Sequence, residues 1–306
     1  MSNQRITEAL READPARGQV PEGLDGRAEQ DLSRILQTAM RPRRRWRLAV
    51  VGIASFVAVA MFVAQPWVTD SRSGGGAQAA TPPLLKFQLK DKRPARQQLL
   101  DFASRVRALP AEPATGPVLQ VSMKGWYLVS GDVTKDYIEP HVVTNYVSDG
   151  RLWSFEPGRD PGDAVSVFWK EGLSADPSVL KKQLAVAHPG NGVDSFLSAV
   201  DDLQREAIPS PAVRAALLTL LADEKDIKAD GEVIDRSGRR GIGFSVLTDG
   251  GGLPTKRTLI FDPATGSVLG QEQMLTETAG KMNVPIPSVI EYESYLSRSY
   301  VAEIPK

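Results

Sequence analysis

The residues able to do chemistry are few and scattered. The 306-residue chain has two histidines, His141 and His188, and no cysteine. Without cysteine there is no disulfide, no thiolate zinc ligand, no thiol nucleophile and no lipid-modified cysteine anchor. His141 follows Pro140 in a strand-like run, and His188 stands in the loop sequence AHPGNG. A nucleophile needs a base beside it, and no H-E-x-x-H, G-x-S-x-G, P-loop or Rossmann fingerprint is present. Both histidines therefore read as structural or surface residues. Acidic groups at Asp201-Asp202 and at Asp223, Glu224 and Asp226 fall on or beside helical segments and read as solvated faces. Asp149, Asp160 and Asp163 sit in turn sequences, which favour aspartate for backbone reasons. Gly250-Gly251-Gly252 is followed by Leu253-Pro254 and not by a helix, so it reads as a hairpin loop and not an anion cradle. The expectation is no catalytic residue, no metal ligand and no cofactor: not an enzyme.

Charge is more informative than any motif. Basic and acidic residues each number 37, a formal net charge of zero, which argues against a nucleic-acid binder. The zero hides a division. Residues 1–47 carry ten Arg, no Lys and seven acids, residues 48–69 carry no charge, and the remainder has a surplus of three acids. The uncharged stretch LAVVGIASFVAVAMFVAQPWVT is long enough to cross a bilayer core of roughly 30 Å as a helix. Before Gln65, Ser55 is the one hydroxyl on its surface. Pro66 ends the regular helix, and Trp46 and Trp67 stand where interfacial aromatics belong. The expected span is residues 48–68. Because 47 residues precede it, it reads as an uncleaved signal anchor and not as a cleaved signal peptide.

Arg41, Arg43, Arg44, Arg45 and Arg47 abut the start of the span, against only Arg72 and Lys86 on the far flank. Basic residues at span ends stay cytoplasmic and meet lipid headgroups. The expected location is the cell membrane, single-pass, with the N-terminus in the cytoplasm and the C-terminal domain outside. Within the cytoplasmic segment, residues 1–47, Leu32, Ile35, Leu36, Ala39 and Met40 form an apolar stripe at helical spacing, with Asp25 as a cap before it. Ile6, Leu10 and Ala13 form a shorter stripe upstream. Leu32, Ile35, Leu36 and Met40 are the candidate contacts for a cytoplasmic protein partner by helix-in-groove docking; the alternative is a helix lying on the inner leaflet.

Residues 69–83, rich in Gly, Ser and Pro, read as a flexible linker, and residues 84–306 as one domain. Leu99, Leu100, Phe102, Val106 and Leu109 give a helical stripe that Pro110 stops. From Val118 the runs become β-branched and aromatic, with Ser148-Asp149-Gly150 as a tight turn, and Ala164 to Trp169 adds a strand. Three helices follow. Asp176-Pro177 and Ser210-Pro211 open the first and third, and Val193, Phe196, Leu197, Val200 and Leu203 mark the second. Two hairpins come next, turning at Gly238 and at Asp262 to Gly266. In the last segment Ile290, Tyr292, Leu296 and Tyr300 share one parity and Glu291, Glu293, Ser297 and Ser299 the other, which predicts a strand with one buried face. The fold class is α+β: one transmembrane helix plus an extracytoplasmic domain with a curved antiparallel sheet and helices packed on one face.

The sequences AALLTLLADEKDIKADGEVIDRSGRRGIGFSV, LIFDPATGSVLGQEQML and the closing YESYL resemble an uncharacterised actinobacterial single-pass membrane protein family. Members carry an Arg-rich stop before the span and are often encoded beside alternative (extracytoplasmic-function) sigma factors. The resemblance covers residues 41–306 and is most specific at 212–275. It implies an envelope setting and an anti-sigma or signalling role, with a sigma factor as the cytoplasmic partner, and it assigns no functional residue. The His-x3-Cys-x2-Cys motif of zinc-type anti-sigma domains is absent. The inferred architecture is also similar to lipoprotein-carrier and sigma-regulator sensor domains. The expected function is non-enzymatic sensing or regulation in the cell envelope. The alternative is an extracytoplasmic lipid- or envelope-component-binding module with an inert cytoplasmic tail.

Overall fold

The computed structural model describes residues 80–111, 113–129, 137–170, 172–190, 192–249 and 252–305, with residues 129 and 137–140 described by backbone alone. The expected cytoplasmic segment, the span at 48–68 and the linker up to residue 79 lie outside the described residues. Among the described residues no helix is long and apolar enough to cross a membrane.

After α1 (Ala95–Arg107) come four strands, β1 (Val118–Val129), β2 (Tyr137–Ser148), β3 (Arg151–Phe155) and β4 (Val165–Ser166). Three helices follow, α2 (Pro177–Ala187), α3 (Val193–Glu206) and α4 (Pro211–Ala222). The chain ends in β5 (Lys228–Ile234), β6 (Arg240–Thr248), β7 (Thr255–Phe261), β8 (Val268–Leu275) and β9 (Ser288–Val301). The strands form one antiparallel sheet in the order β4-β3-β2-β1-β9-β8-β7-β6-β5. Two meanders, one from each end of the chain, are thus joined by β9, which pairs with β1 on one side and β8 on the other. Register shifts in the β1–β9, β5–β6, β7–β8 and β8–β9 ladders mark bulges, which bend a sheet. The α+β class and the curved antiparallel sheet are present as expected.

Local chemistry accounts for many boundaries. Asp176 Oδ1 accepts from the backbone N–H of Ser178 (2.8 Å) and Val179 (3.1 Å), with Pro177 in the first turn of α2. Ser210 Oγ accepts from Val213 N–H (3.3 Å) at the start of α4, again before a proline. Asp149 (φ 50°) and Gly150 (φ 70°) make the β2–β3 turn, both in the left-handed region that a two-residue hairpin demands.

The helices pack on one face of the sheet. Leu99, Phe102 and Val106 of α1, Leu180 and Leu184 of α2, and Leu197 and Leu203 of α3 bury there with Val121, Met123, Phe244, Leu259 and Phe261 of the strands. Helix α4 is buried nearly all round, including Arg214, Ala215, Ala216 and Leu218, because α1 and α2 also cover it. The segment from Thr81 to Lys90 runs over the sheet elsewhere. Arg236 Nη1 donates to Pro83 O (2.7 Å), and Gln88 exchanges backbone hydrogen bonds with Glu232 beside the edge strand β5.

Candidate functional site

The last strand differs from its expected pattern, and the difference creates the site. Ser122 stands opposite Ser297 but Met123 stands opposite Tyr295, so Leu296 is the extra residue of a bulge and is 42% exposed. The bulge breaks the alternation that the sequence pattern implied. Val289, Glu291, Glu293 and Tyr295 share one face, and the face expected to meet solvent carries Glu293, which is 1% exposed, beneath α3. The acids of α3 depart from expectation for the same reason. Asp201 and Asp202 are not on a solvated face: their side chains are 12% and 14% exposed.

These residues form one ionic network. Arg205 Nη2 lies 2.7 Å from Asp201 Oδ2, one helical turn before it, and 2.7 Å from Glu293 Oε1. Arg205 Nη1 lies 3.5 Å from Asp202. Tyr295 donates its hydroxyl to Asp201 Oδ1 (2.5 Å), and Tyr127 of β1 donates to Glu293. Two buried carboxyls share one guanidinium, and the environment pushes their pKa values apart. Burial raises Asp201 to about 7, and the nearby charge of Glu293 adds to this against the pull of Arg205. Burial opposes ionisation of Glu293 as well, but the Arg205 charge and the hydrogen bonds from Arg205 and Tyr127 outweigh it and hold that carboxyl below its ordinary value. Burial also raises Tyr127, Tyr295 and Glu291. Arg205 stays charged, because Asp201 and Glu293 outweigh its own burial.

Both histidines reach the ends of this network. The His141 ring stacks on Tyr127, centroids 4.9 Å apart and planes within 9°. Gly125, directly opposite His141, makes room: a Cβ there would stand 2.3 Å from the imidazole Cε1. His188, the residue after α2, places Nε2 2.8 Å from Asp202 Oδ2. Strand pairing sets His141 on Tyr127 and the α2–α3 packing sets His188 beside an acid, so each histidine has a defined partner in the fold. A histidine on a carboxylate is the start of general-base geometry. Among the described residues, the other ring contact of His188 is Phe168 at 6.2 Å, and no serine or threonine hydroxyl is bonded to it.

Beyond Tyr295 the bulge opens a cleft of about 190 Å³, where the α3–α4 connection crosses the ends of β8 and β9. Arg214, Arg239 and Arg298 line it, together with Gln204, Ser267 and Ser297, and among the described residues its lining contains no acidic residue. Arg239 is anchored from behind by Asp235 (2.6 Å) and donates to the backbone carbonyls of Tyr295 (2.5 Å) and Leu269 (2.8 Å). Arg298 donates Nε to Gln204 O (3.3 Å) and Nη1 to Val268 O (3.1 Å), with its guanidinium 4.5 Å from the Tyr295 ring centre. Burial and the charges of Arg239 and Arg214 lower Arg298 to about 10. Neither this cleft nor the neighbouring apolar cavity between α3, α4 and β7 is lined by Asp201, Arg205 or Glu293. That apolar cavity measures about 10 Å³, room for one water at most.

Of the residues singled out in the sequence, Leu32, Ile35, Leu36 and Met40, and Arg41, Arg43, Arg44, Arg45 and Arg47, lie outside the described residues. Arg205, Glu293, Tyr295 and Arg298 were not legible as site residues. The one hint was an acid pair, Asp201-Asp202, followed by Arg205 at i+4 and i+3 on a helix that is otherwise strongly amphipathic.

No family model matches the chain, and no curated protein sequence matches it. Among solved structures, the chain is similar to a LolA superfamily protein from Nitrosomonas europaea at 10% identity, over 70% of this chain and 96% of that one, with a TM-score of 0.17.

Proposed function

We propose that this chain is a single-pass envelope protein whose outer domain is a non-enzymatic binding and sensing module, with the bulge cleft as its ligand site. One observation carries this reading: a polar cleft of about 190 Å³ stands open beside a core whose apolar cavity holds about 10 Å³. An acyl chain has no room in that cavity as it stands, so an envelope component would be met by its polar end. The ionic network supports binding over catalysis, because its carboxyls are buried and, among the described residues, no hydroxyl nucleophile is bonded to its histidines. The cleft and the network share Tyr295 and adjoining turns of α3, so occupancy of one bears on the other. The membrane placement rests on the uncharged run at 48–68 and the arginines before it.

A cytoplasmic readout is favoured by the apolar stripe of Leu32, Ile35, Leu36 and Met40. With it, the module would signal inward to a partner such as a sigma factor, as the sequence resemblance implies.

Two measurements test the reading. Reporters active only outside the membrane should work when fused after Gly75 and after Lys306 and stay silent after Met40; silence at Lys306 would overturn the topology. A low-molecular-weight fraction of the producing cell's envelope should raise the melting temperature of the full chain. Ser297→Trp, which fills the cleft from an exposed strand position, should remove that rise. An equal rise in the variant would place ligand binding elsewhere.

A further inference from the structure

Two buried hydrogen-bond donors on residues that line the cleft have no protein acceptor. Gln204 is 2% exposed, and its Nε2 has no partner; the Nη2 of Arg298 is also buried and without a partner. Buried donors are almost always satisfied, because leaving one unmade forfeits the water it gave up. Here two stand in one cleft, both are donors, and one belongs to a cation. Among the described residues Arg298 has no carboxylate partner: its other N–H groups reach only backbone carbonyls, and one face of its guanidinium lies on Tyr295. Arg239 and Arg214 add positive charge to the same lining, and Ser267 and Ser297 add polar positions. Three other shielded cations already have carboxylate partners. Arg205 has its acids, Arg236 has Glu272, and Lys256 has Asp230.

We infer that the cleft binds a small oxyanion, a phosphate or carboxylate group, with Arg298 Nη2 and Gln204 Nε2 as the donors that complete its shell. The inference rests on reading this cleft as the ligand site and adds the ligand's chemical class. Charge-assisted bonds to a guanidinium are the strong ones, and arginine's planar fork suits phosphate and carboxylate oxygens. Desolvation and the two neighbouring guanidiniums weaken Arg298's hold on its proton, and an anion would reverse that. The cleft's size suits such a group with a few waters. The anion has two sources, a free solute or the headgroup of an anionic lipid, and both present the same oxygens.

The test uses the full chain in phosphatidylcholine nanodiscs at low chloride, titrated with sodium phosphate and with sodium acetate by calorimetry. At least one anion should bind, and Arg298→Gln should weaken it by about tenfold or more, as expected for loss of a charge-assisted bond. Arg240→Gln, at a side chain 82% exposed on β6, should leave it unchanged. Repeating the titration in phosphatidylglycerol nanodiscs separates the sources. Suppressed phosphate binding assigns the site to a lipid headgroup, undiminished binding assigns it to a soluble anion, and both support the inference. Failure of every anion to bind the wild type, or equal binding by Arg298→Gln, overturns it. If Arg298→Gln does not fold, Gln204→Met decides, and undiminished affinity in that variant overturns the inference. Should the envelope fraction stabilise the wild type and not Ser297→Trp while no anion binds, the binding-module reading stands and the oxyanion is wrong.

Discussion

Replacing Asp201 by asparagine should change how stability depends on pH more than it changes stability itself. The folded-state pKa of Asp201 is raised from 3.8 to about 7, chiefly by burial. A raised pKa means that the protonated form is favoured by folding. Its contribution is complete below the unfolded value and is lost as pH rises toward the folded one. At about 1.36 kcal/mol per pKa unit, the loss between pH 4 and pH 8 amounts to about 4 kcal/mol. Asparagine has the shape of the protonated acid and does not titrate. Glu293 runs the other way: its pKa is lowered, so its contribution is present above its ordinary value of 4.5 and is lost as pH falls. It remains in both proteins, so the difference between them reports Asp201 together with its coupling to Glu293. The assay is urea unfolding of residues 76–306 at pH 4, 5, 6, 7 and 8, followed by the fluorescence of tryptophans such as Trp126, which is 7% exposed and stacked on Tyr292. Relative to wild type, Asp201→Asn should gain stability steadily with pH, by about 4 kcal/mol in all. A difference that stays flat within about 1 kcal/mol would show that pairing with Arg205 keeps Asp201 ionised throughout, and the account of the network would be wrong.

Arg205→Met leaves Glu293 and Asp201 without their cation, and at pH 7.5 it should cost about 3–5 kcal/mol in the same urea assay. Gly125→Ala drives a methyl into the His141 ring and should cost about 1–3 kcal/mol; in a His141→Ala background the cost should fall below about 1 kcal/mol, as a double-mutant cycle would read out. Asp176→Ala removes the cap of α2 and should cost about 1 kcal/mol, with faster amide exchange confined to its first turn. On the cytoplasmic side, Leu32→Asp with Leu36→Asp should abolish capture of any partner retained by residues 1–47, and undiminished capture would reduce that segment to a topology signal.

Much of this architecture is readable without the structure, and the legible parts share one property: their causes lie within a few residues. Asp176-Pro177 and Ser210-Pro211 cap helices through bonds to N–H groups two or three positions on, and Asp149-Gly150 turns a hairpin because both adopt positive φ. The uncharged run at 48–68 and its flanking arginines are also local facts of composition, but they lie outside the described residues. The site was not legible, because its causes are distant. Glu293 meets Arg205 across 88 positions and Tyr127 across 166, and neither meeting leaves a mark on periodicity. Strict alternation assigned Glu293 to solvent. Only the pairing of β9 between β1 and β8 under α3, with Leu296 extruded at the bulge, turns that glutamate inward and opens the arginine cleft beside it. A single residue of slip in one strand reverses which face is buried, and that slip is settled by packing across the whole sheet, not by the sequence of the strand that carries it.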